Sequence, residues 1–207
     1  MIRTRAFLTP DDPSSVPALE GKPVTMVRPH LQEIPRPTFS AGFSIRPMRM
    51  DEIDVWVAIQ KDSEPFRKIV PAVFGEAYGD NAEEITKRCF LIIGPEGEGA
   101  GCIGAWFNLD FREGDWGRIH WVATRPAYRR RGLARAGLAY ALRRMTEWHT
   151  RCYLDTQSKR LGAIRLYLDF GFRPDLEEKG SVETWHEIGR ELAHPVLEDL
   201  CAGKRPG

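Results

Sequence analysis

The chain has 207 residues, 42% hydrophobic and 29% charged, with a formal net charge of +1 at pH 7. This length allows one domain with a sizeable core, alone or with an extension, and the near-balance of charge argues against a general nucleic-acid or membrane-surface binder. No apolar run reaches the roughly 20 residues needed to span a bilayer, and no apolar region follows the arginines of the N-terminus, so neither a membrane span nor a secretory signal is expected. Cys89, Cys102, Cys152 and Cys201 form no CxxC pair and read as buried reduced thiols. The histidines at 30, 120, 149, 186 and 194 lack ligand spacing, so no metal is expected, and a cytoplasmic protein is the default.

Residues 1–40 carry seven prolines and no sustained period; they are expected to form an extended arm whose second half, with Val24, Met26, Val27, Leu31 and Ile34, lies on the protein. Regular structure is expected from Phe43–Pro47, a short strand. Asp51 is placed to cap a helix carrying Ile53, Val55, Trp56 and Ile59. Pro65 is placed to open a second helix, with Phe66, Ile69 and Val70, ending near Pro71; Asp80 or Asn81 caps a third through Arg88. At Cys89 the period changes. Cys89–Ile93, Gly101–Phe107 and Trp116–Ala123 read as three strands joined by the turns Gly94–Gly97 and Glu113–Asp115, an antiparallel meander.

Beyond a Thr124–Arg125–Pro126 break lies Tyr128–Arg129–Arg130–Arg131–Gly132–Leu133–Ala134, followed by about eighteen residues of helical period ending near Thr150. Strand, glycine turn and helix start, in that order, make an anion site. The first amides of a helix have no intrahelical partners, the macrodipole adds positive charge, and small residues admit a bulky phosphate. Cys152–Asp155 then reads as a strand, and Leu161, Ile164, Leu166, Tyr167 and Leu168 as a helix stopped by Gly171. Phe172–Pro174 is strand-like. Val182, Trp185, Ile188 and Leu192 have helical spacing, and a short helix follows over Pro195–Leu200. The expected fold class is α+β (α/β layered), a mixed, mostly antiparallel central sheet flanked by helices.

Two motifs carry a family resemblance. Arg129-x-x-Gly132-x-Ala134 after a strand, with Ala163–Ile164–Arg165–Leu166–Tyr167–Leu168–Asp169–Phe170–Gly171–Phe172 about thirty residues on, resembles the GNAT N-acyltransferase superfamily. The resemblance spans about Phe43–Pro174. It divides the chain into an arm (1–40), an acyltransferase domain (41–176) and a C-terminal helical extension (177–207). It implies acetyl-CoA as acyl donor, its pyrophosphate held by main-chain amides at Arg130, Arg131, Gly132, Leu133 and Ala134 with help from Arg129 and Arg135. Val122 and Thr124 would make backbone contacts to the pantetheine arm, in a gap opened between this strand and Tyr153–Leu154. Tyr167 occupies the family's tyrosine position, suited to protonating the departing thiolate. One departure is visible: Arg160 stands where many members have asparagine, and an arginine cannot accept a hydrogen bond.

Acyl transfer to an amine needs the amine neutral, and an alkylamine with a pKa of about 10 is mostly protonated at neutral pH. His120, on the strand entering the gap, matches a histidine of arylalkylamine-type members and is a candidate base; a histidine hydrogen-bonded beside the sheet is equally compatible. Asp62, Glu64 and Phe66 could attract a cationic or aromatic acceptor. The expected function is acetyl transfer to a primary amine of a small molecule or peptide by direct attack, with no nucleic-acid or membrane partner and the arm as a candidate dimer contact. A CoA-binding sensor or scaffold without transfer, and a nucleic-acid-binding domain using the arginine run, are the alternatives.

Overall fold

The computed structural model describes residues 21–64 and 67–201, without the side chains of Asp199 and Cys201. Pro65, Phe66 and the Cys201 thiol therefore lie outside the described residues. The strands are β1 (Pro23–Arg28), β2 (Ser44–Pro47), β3 (Cys89–Ile93), β4 (Gly99–Phe107), β5 (Trp116–Thr124), β6 (Arg151–Gln157) and β7 (Arg173–Pro174). The helices are α1 (Ile53–Ser63), α2 (Pro71–Tyr78), α3 (Ala82–Arg88), α4 (Leu133–Met145), α5 (Leu161–Asp169), α6 (Ser181–Glu191) and α7 (Pro195–Cys201). Among the described residues no helix is long and apolar enough to cross a membrane.

The strands form one mixed sheet in the order β2-β3-β4-β5-β6-β1-β7, mostly antiparallel, with β5 and β6 parallel. The meander β3-β4-β5 turns at 94–98, where the glycines make a short connection, and at 108–115, a longer loop than the expected turn Glu113–Asp115. Side chains alternate across each strand, so two cores form. On one face Cys89, Leu91, Cys102 and Trp106 meet Trp56 and Ile59 of α1, Phe74 and Tyr78 of α2 and Ile85 of α3. On the other, Phe90, Ile103, Ile119, Cys152 and Leu154 meet Leu138 and Leu142 of α4, Ile164 and Leu168 of α5 and Trp185 and Ile188 of α6. Cys89, Cys102 and Cys152 are buried free thiols, as expected.

Several expectations are corrected. The arm is more than a segment lying along the domain: Pro23–Arg28 is an internal strand, hydrogen-bonded to β6 on one side and β7 on the other. Val24 and Met26 point into the core, at 5% and 0% exposure, a two-residue alternation too short, and too closely bracketed by Pro23 and Pro29, to stand out in the sequence. The helix expected over Pro65–Pro71 is absent from 67–70, and Pro71 opens α2 instead of ending a helix. Val70 is extended (φ −132°, ψ 162°), as the ring of a following proline favours, and proline at a first helical position forfeits no hydrogen bond. Asp51 does not cap α1. It pairs with Arg49 at 3.1 Å, and a 3-10 turn over Met50–Glu52 leads into the helix. Glu52 anchors that turn, accepting from the Arg49 N–H at 2.9 Å and from Arg46 at 2.8 Å; the Arg46 hydrogen bond pulls its pKa down to about 2, outweighing burial. Asn81 caps α3, its side chain accepting from the Glu84 N–H at 3.2 Å. Helix α4 ends at Met145, short of Thr150, and a final turn follows in which the Trp148 and His149 N–H groups donate to the Met145 carbonyl at 3.0 and 2.9 Å. The C-terminal helices form, with Trp185, Ile188 and Leu192 buried, while Val182 faces outward at 39% exposure.

Candidate active site

Strand β5 pairs with β6 from Trp116–Arg118 to Arg151–Tyr153, and there the pairing stops. Ile119–Thr124 of β5 and Leu154–Gln157 of β6 then diverge, although β5 remains paired with β4 and β6 with β1. The result is a wedge-shaped gap inside a sheet, with facing backbone edges that lack each other as partners. Buried or half-buried amides need partners, so such a gap suits an extended ligand that supplies its own amides. An ion pair closes the narrow end, Arg118 to Asp155 at 2.8 Å, with Thr25 of β1 donating to Asp155 at 2.9 Å.

A bulge shapes the β5 side. Cys102 pairs with Ala123 and Gly104 with His120, so two residues of β5, Trp121 and Val122, oppose one of β4. Trp121 has φ +49°, a left-handed conformation that costs a bulky residue roughly 1–2 kcal/mol. The bulge reverses the alternation: His120 and Trp121 both face α1 and α2, and Val122 packs on the α4 side. Gly104 is required opposite, since an added Cβ would lie 2.9 Å from the Tyr78 hydroxyl and 3.2 Å from the His120 carbonyl. At the end of the strand the Thr124 hydroxyl is buried without a hydrogen-bond partner among the described residues.

The predicted anion turn stands at the wide end of this gap. Pro126–Tyr128 forms a 3-10 turn; Arg130 (φ +62°) and Gly132 (φ +74°) take left-handed conformations, and α4 begins at Leu133 with no side-chain cap. Alternating signs of φ turn successive N–H groups toward one side, a nest for an anion. Arg129, Arg130, Arg131 and Gly132 are exposed. Leu133 is buried at 2% beside Phe43, Ile92 and Ala100, so its contribution to a ligand is its backbone, and Ala134 leaves the approach open. Arg129 reaches back to the Thr124 carbonyl at 3.3 Å and the Ser63 carbonyl at 3.4 Å, tying turn, strand and the end of α1 together. Arg135 pairs with Asp169 of α5 and lies over the Phe170 ring. Its charge is partly spent there.

The two predicted chemical side chains approach from opposite faces. His120 lies on the α1–α2 face, its ring 5.3 Å from that of Tyr78 and 6.0 Å from that of Trp121. Burial, with the Arg118 charge adding to it, holds its pKa well below the usual histidine value, while a hydrogen bond with the Ala77 backbone acts the other way. Tyr167 lies on the α4–α5 face, 7% exposed, its ring 5.9 Å from Phe172; burial pushes its pKa up to about 12. Asp62 and Glu64, candidates for attracting an acceptor, pair within the chain, with Arg125 at 3.0 Å and Arg160 at 2.6 Å. The Glu64–Arg160 pair joins the end of α1 to the start of α5, so the residue in the asparagine position holds a carboxylate.

Gln60 was not singled out from the sequence. It is 3% exposed on the inner face of α1, and its Nε2 donates to the Trp121 carbonyl at 3.1 Å, with Cys102 Sγ at 3.2 Å. The available signal is a polar residue at a core-facing position, one turn after Trp56 and Val57. A cavity of about 690 Å³ lies elsewhere, lined by Leu31, Ile34, Tyr140 and Arg143 among others and by none of the gap or turn residues. No cluster of three or more metal-binding side chains occurs among the described residues.

Comparison with solved structures returns the same fold. A GCN5-related N-acetyltransferase from Sphaerobacter thermophilus superposes with a TM-score of 0.57 at 20% identity, over 74% of this chain and 48% of that one. The ribosomal-protein-S18-alanine N-acetyltransferase from Escherichia coli gives 0.53 at 19% identity, over 65% and 79%. The NatC complex bound to Gag peptide and CoA gives 0.52 at 16% identity, over 61% and 82%. The chain thus spans about half the length of the Sphaerobacter protein. Comparison with curated protein sequences finds no significant match. The model of the acetyltransferase (GNAT) family matches residues 36–172, from just before β2 through the end of the Tyr167 motif, and the chain belongs to that family.

Proposed function

We propose that this protein transfers the acetyl group of acetyl-CoA to a primary amine by direct attack. The observation that carries the reading is the unpaired divergence of β5 from β6, opening onto the arginine–glycine turn. A pyrophosphate fits the amides of the turn Arg130–Ala134 with the exposed Arg129, Arg130 and Arg131 around them, and an amide-bearing arm fits the free edge at Val122 and the orphaned Thr124 hydroxyl. Acetyl-CoA supplies the activated thioester.

The chain's own residues supply the rest. The amine enters from the α1–α2 face, past Trp121, His120 and the Arg118–Asp155 pair. His120 is neutral at neutral pH because its pKa is depressed. With one ring nitrogen engaged with the Ala77 backbone, the other is an acceptor that orients the amine and receives or relays its proton. The depressed pKa makes it a weak base, so it serves an amine that arrives already neutral better than one it must strip. Tyr167 keeps its proton, with a pKa of about 12. Full transfer to a thiolate, whose pKa is about 8.5 for an ordinary thiol, would be uphill, so the phenol acts most strongly as a hydrogen bond made while the C–S bond breaks. The proton that ends on sulfur is balanced by the one the amine gives up.

Titration calorimetry with acetyl-CoA, followed by release of CoA thiol across a panel of amines, tests this. Micromolar binding and amine-dependent thiol release are expected. Binding without release from any amine would make the protein a CoA-binding module, and no binding at tens of micromolar would reject both readings.

A further inference from the structure

We infer that Gln60 is a positioning residue for the acyl-transfer step: from α1 it holds the Trp121–Val122 peptide so that the Val122 N–H points away from α1, toward the thioester side of the sheet. The inference rests on the acetyl-transfer reading above and adds a residue to it.

Three observations lead there. First, Gln60 is a buried amide on a helix face whose other inward residues are Trp56, Val57 and Ile59, and a lone polar group in such a face weakens packing unless its hydrogen bonds are needed. Its Nε2 donates to the Trp121 carbonyl at 3.1 Å. Second, that carbonyl belongs to the bulged residue with φ +49°, so the peptide being held is the one the sheet ladder leaves free to rotate. The Cys102 thiol, 3.6 Å from the same carbonyl and 3.2 Å from Gln60 Nε2, makes a second contact; burial keeps it protonated, its pKa pushed up to about 12. Third, the peptide bond is trans, and in a trans peptide the C=O and the next N–H point in opposite directions. Fixing the Trp121 carbonyl toward α1 therefore aims the Val122 N–H at the opposite side. Val122 packs on the side of the sheet where α4 starts and where Tyr167 lies.

A donor held in place before reaction costs no reorganisation when negative charge grows on the thioester oxygen. Without Gln60 the strained peptide can relax and the donor loses its aim, although the binding turn at Arg130–Ala134 is untouched. The contribution should therefore appear in kcat and in the polarisation of the bound carbonyl, and leave affinity alone.

The test is Gln60→Met, of similar length and without a donor. Relative to wild type, kcat for thiol release should fall roughly tenfold to a hundredfold, with the acetyl-CoA Kd changed less than about threefold. Isotope-edited infrared spectra of bound acetyl-CoA labelled with 13C at the carbonyl should show a lowered C=O stretch in wild type that moves back toward the free value in the variant. An unchanged stretch and kcat in a folded Gln60→Met would overturn the inference and leave the acetyl-transfer reading standing. Absence of acetyl-CoA binding by the wild-type protein would overturn both. If the variant does not fold, wild-type protein labelled with 15N-glutamine answers the question, because the chain has only three glutamines, Gln32, Gln60 and Gln157. The Gln60 side-chain amide should be protected from exchange and shift on adding acetyl-CoA; rapid exchange and no shift would overturn the inference.

Discussion

Burial sets the protonation form of Tyr167. A phenol 7% exposed and with a pKa of about 12 cannot be an anion at physiological pH, so any role in chemistry is as donor. Tyr167→Phe should keep the ring packing against Phe172 and remove the donor. We expect thiol release slowed more than roughly tenfold with acetyl-CoA affinity nearly unchanged in calorimetry, and unchanged turnover would return Tyr167 to the core. Gly132 makes the complementary case. Its φ of +74° suits glycine, and none of the described residues lies within 4 Å of an added Cβ, so a side chain there would strain the turn without colliding with them. Gly132→Val should thus leave thermal stability within a few degrees of wild type and weaken acetyl-CoA binding at least about tenfold, because the branched side chain both distorts the nest and occupies the approach to its amides.

Among the elements, β1 is the one whose role is structural and whose position bears on the site. It completes the outer edge of β6, and its last residue, Arg28, is 4% exposed with its guanidinium donating to three carbonyls: Phe170 at 2.6 Å, His30 at 3.0 Å and Gln32 at 2.5 Å. Phe170 is the C-cap of α5, the helix that carries Tyr167. Arg28 therefore supplies one donor to a helix end whose carbonyls lack intrahelical partners, and its other two bind the chain just beyond β1. Burial lowers its pKa without approaching neutrality, since arginine stays charged in proteins. Arg28→Met should destabilise the fold by about 2–4 kcal/mol, as expected when charged hydrogen bonds to buried carbonyls are lost, read as a shift in the urea midpoint at constant slope. A change below about 0.5 kcal/mol would mean that water replaces the arginine at that helix end.

For the molecule as a whole, acid should be destabilising before the carboxylates titrate. His120 and His149 both have pKa values lowered by burial; for His149 a hydrogen bond with Asp115 at 2.6 Å acts against the shift. A histidine whose folded pKa lies below its unfolded value of about 6.5 binds protons preferentially in the unfolded chain. Its contribution is complete above about pH 6.5 and is lost as pH falls from there toward the folded value, at up to about 1.4 kcal/mol per pH unit for each group. Melting temperature should accordingly drop between pH 7 and 5.5, and His120→Gln should flatten that slope. An unchanged slope would show that His120 stays as accessible to protons folded as unfolded.

The layered class, the meander and the turn were legible locally, because each is written in short-range patterns: the apolar run Cys89–Ile93, glycine turns between strands, and Arg129–Ala134 at a strand-to-helix junction. Tyr167 was legible through its motif. Three features were not. The placement of Pro23–Arg28 inside the sheet depends on a partner more than a hundred residues away, and the five residues between Pro23 and Pro29 carry too weak a period to announce it. Pro71 opens α2 where the sequence predicts a helix end, because proline both ends and begins helices, and only the chain around it selects which. Gln60 looked like an ordinary helical residue, since its meaning lies in the Trp121 carbonyl across the core. By itself the sequence determined most of the elements and the strand–turn–helix junction at Arg129–Ala134, whose physics is confined to neighbouring residues. Only the tertiary structure decided where the gap opens and the geometry of the bulge beside it, because β5 and β6 pair over three residues and then part, while the bulge is a register shift within the β4–β5 pairing.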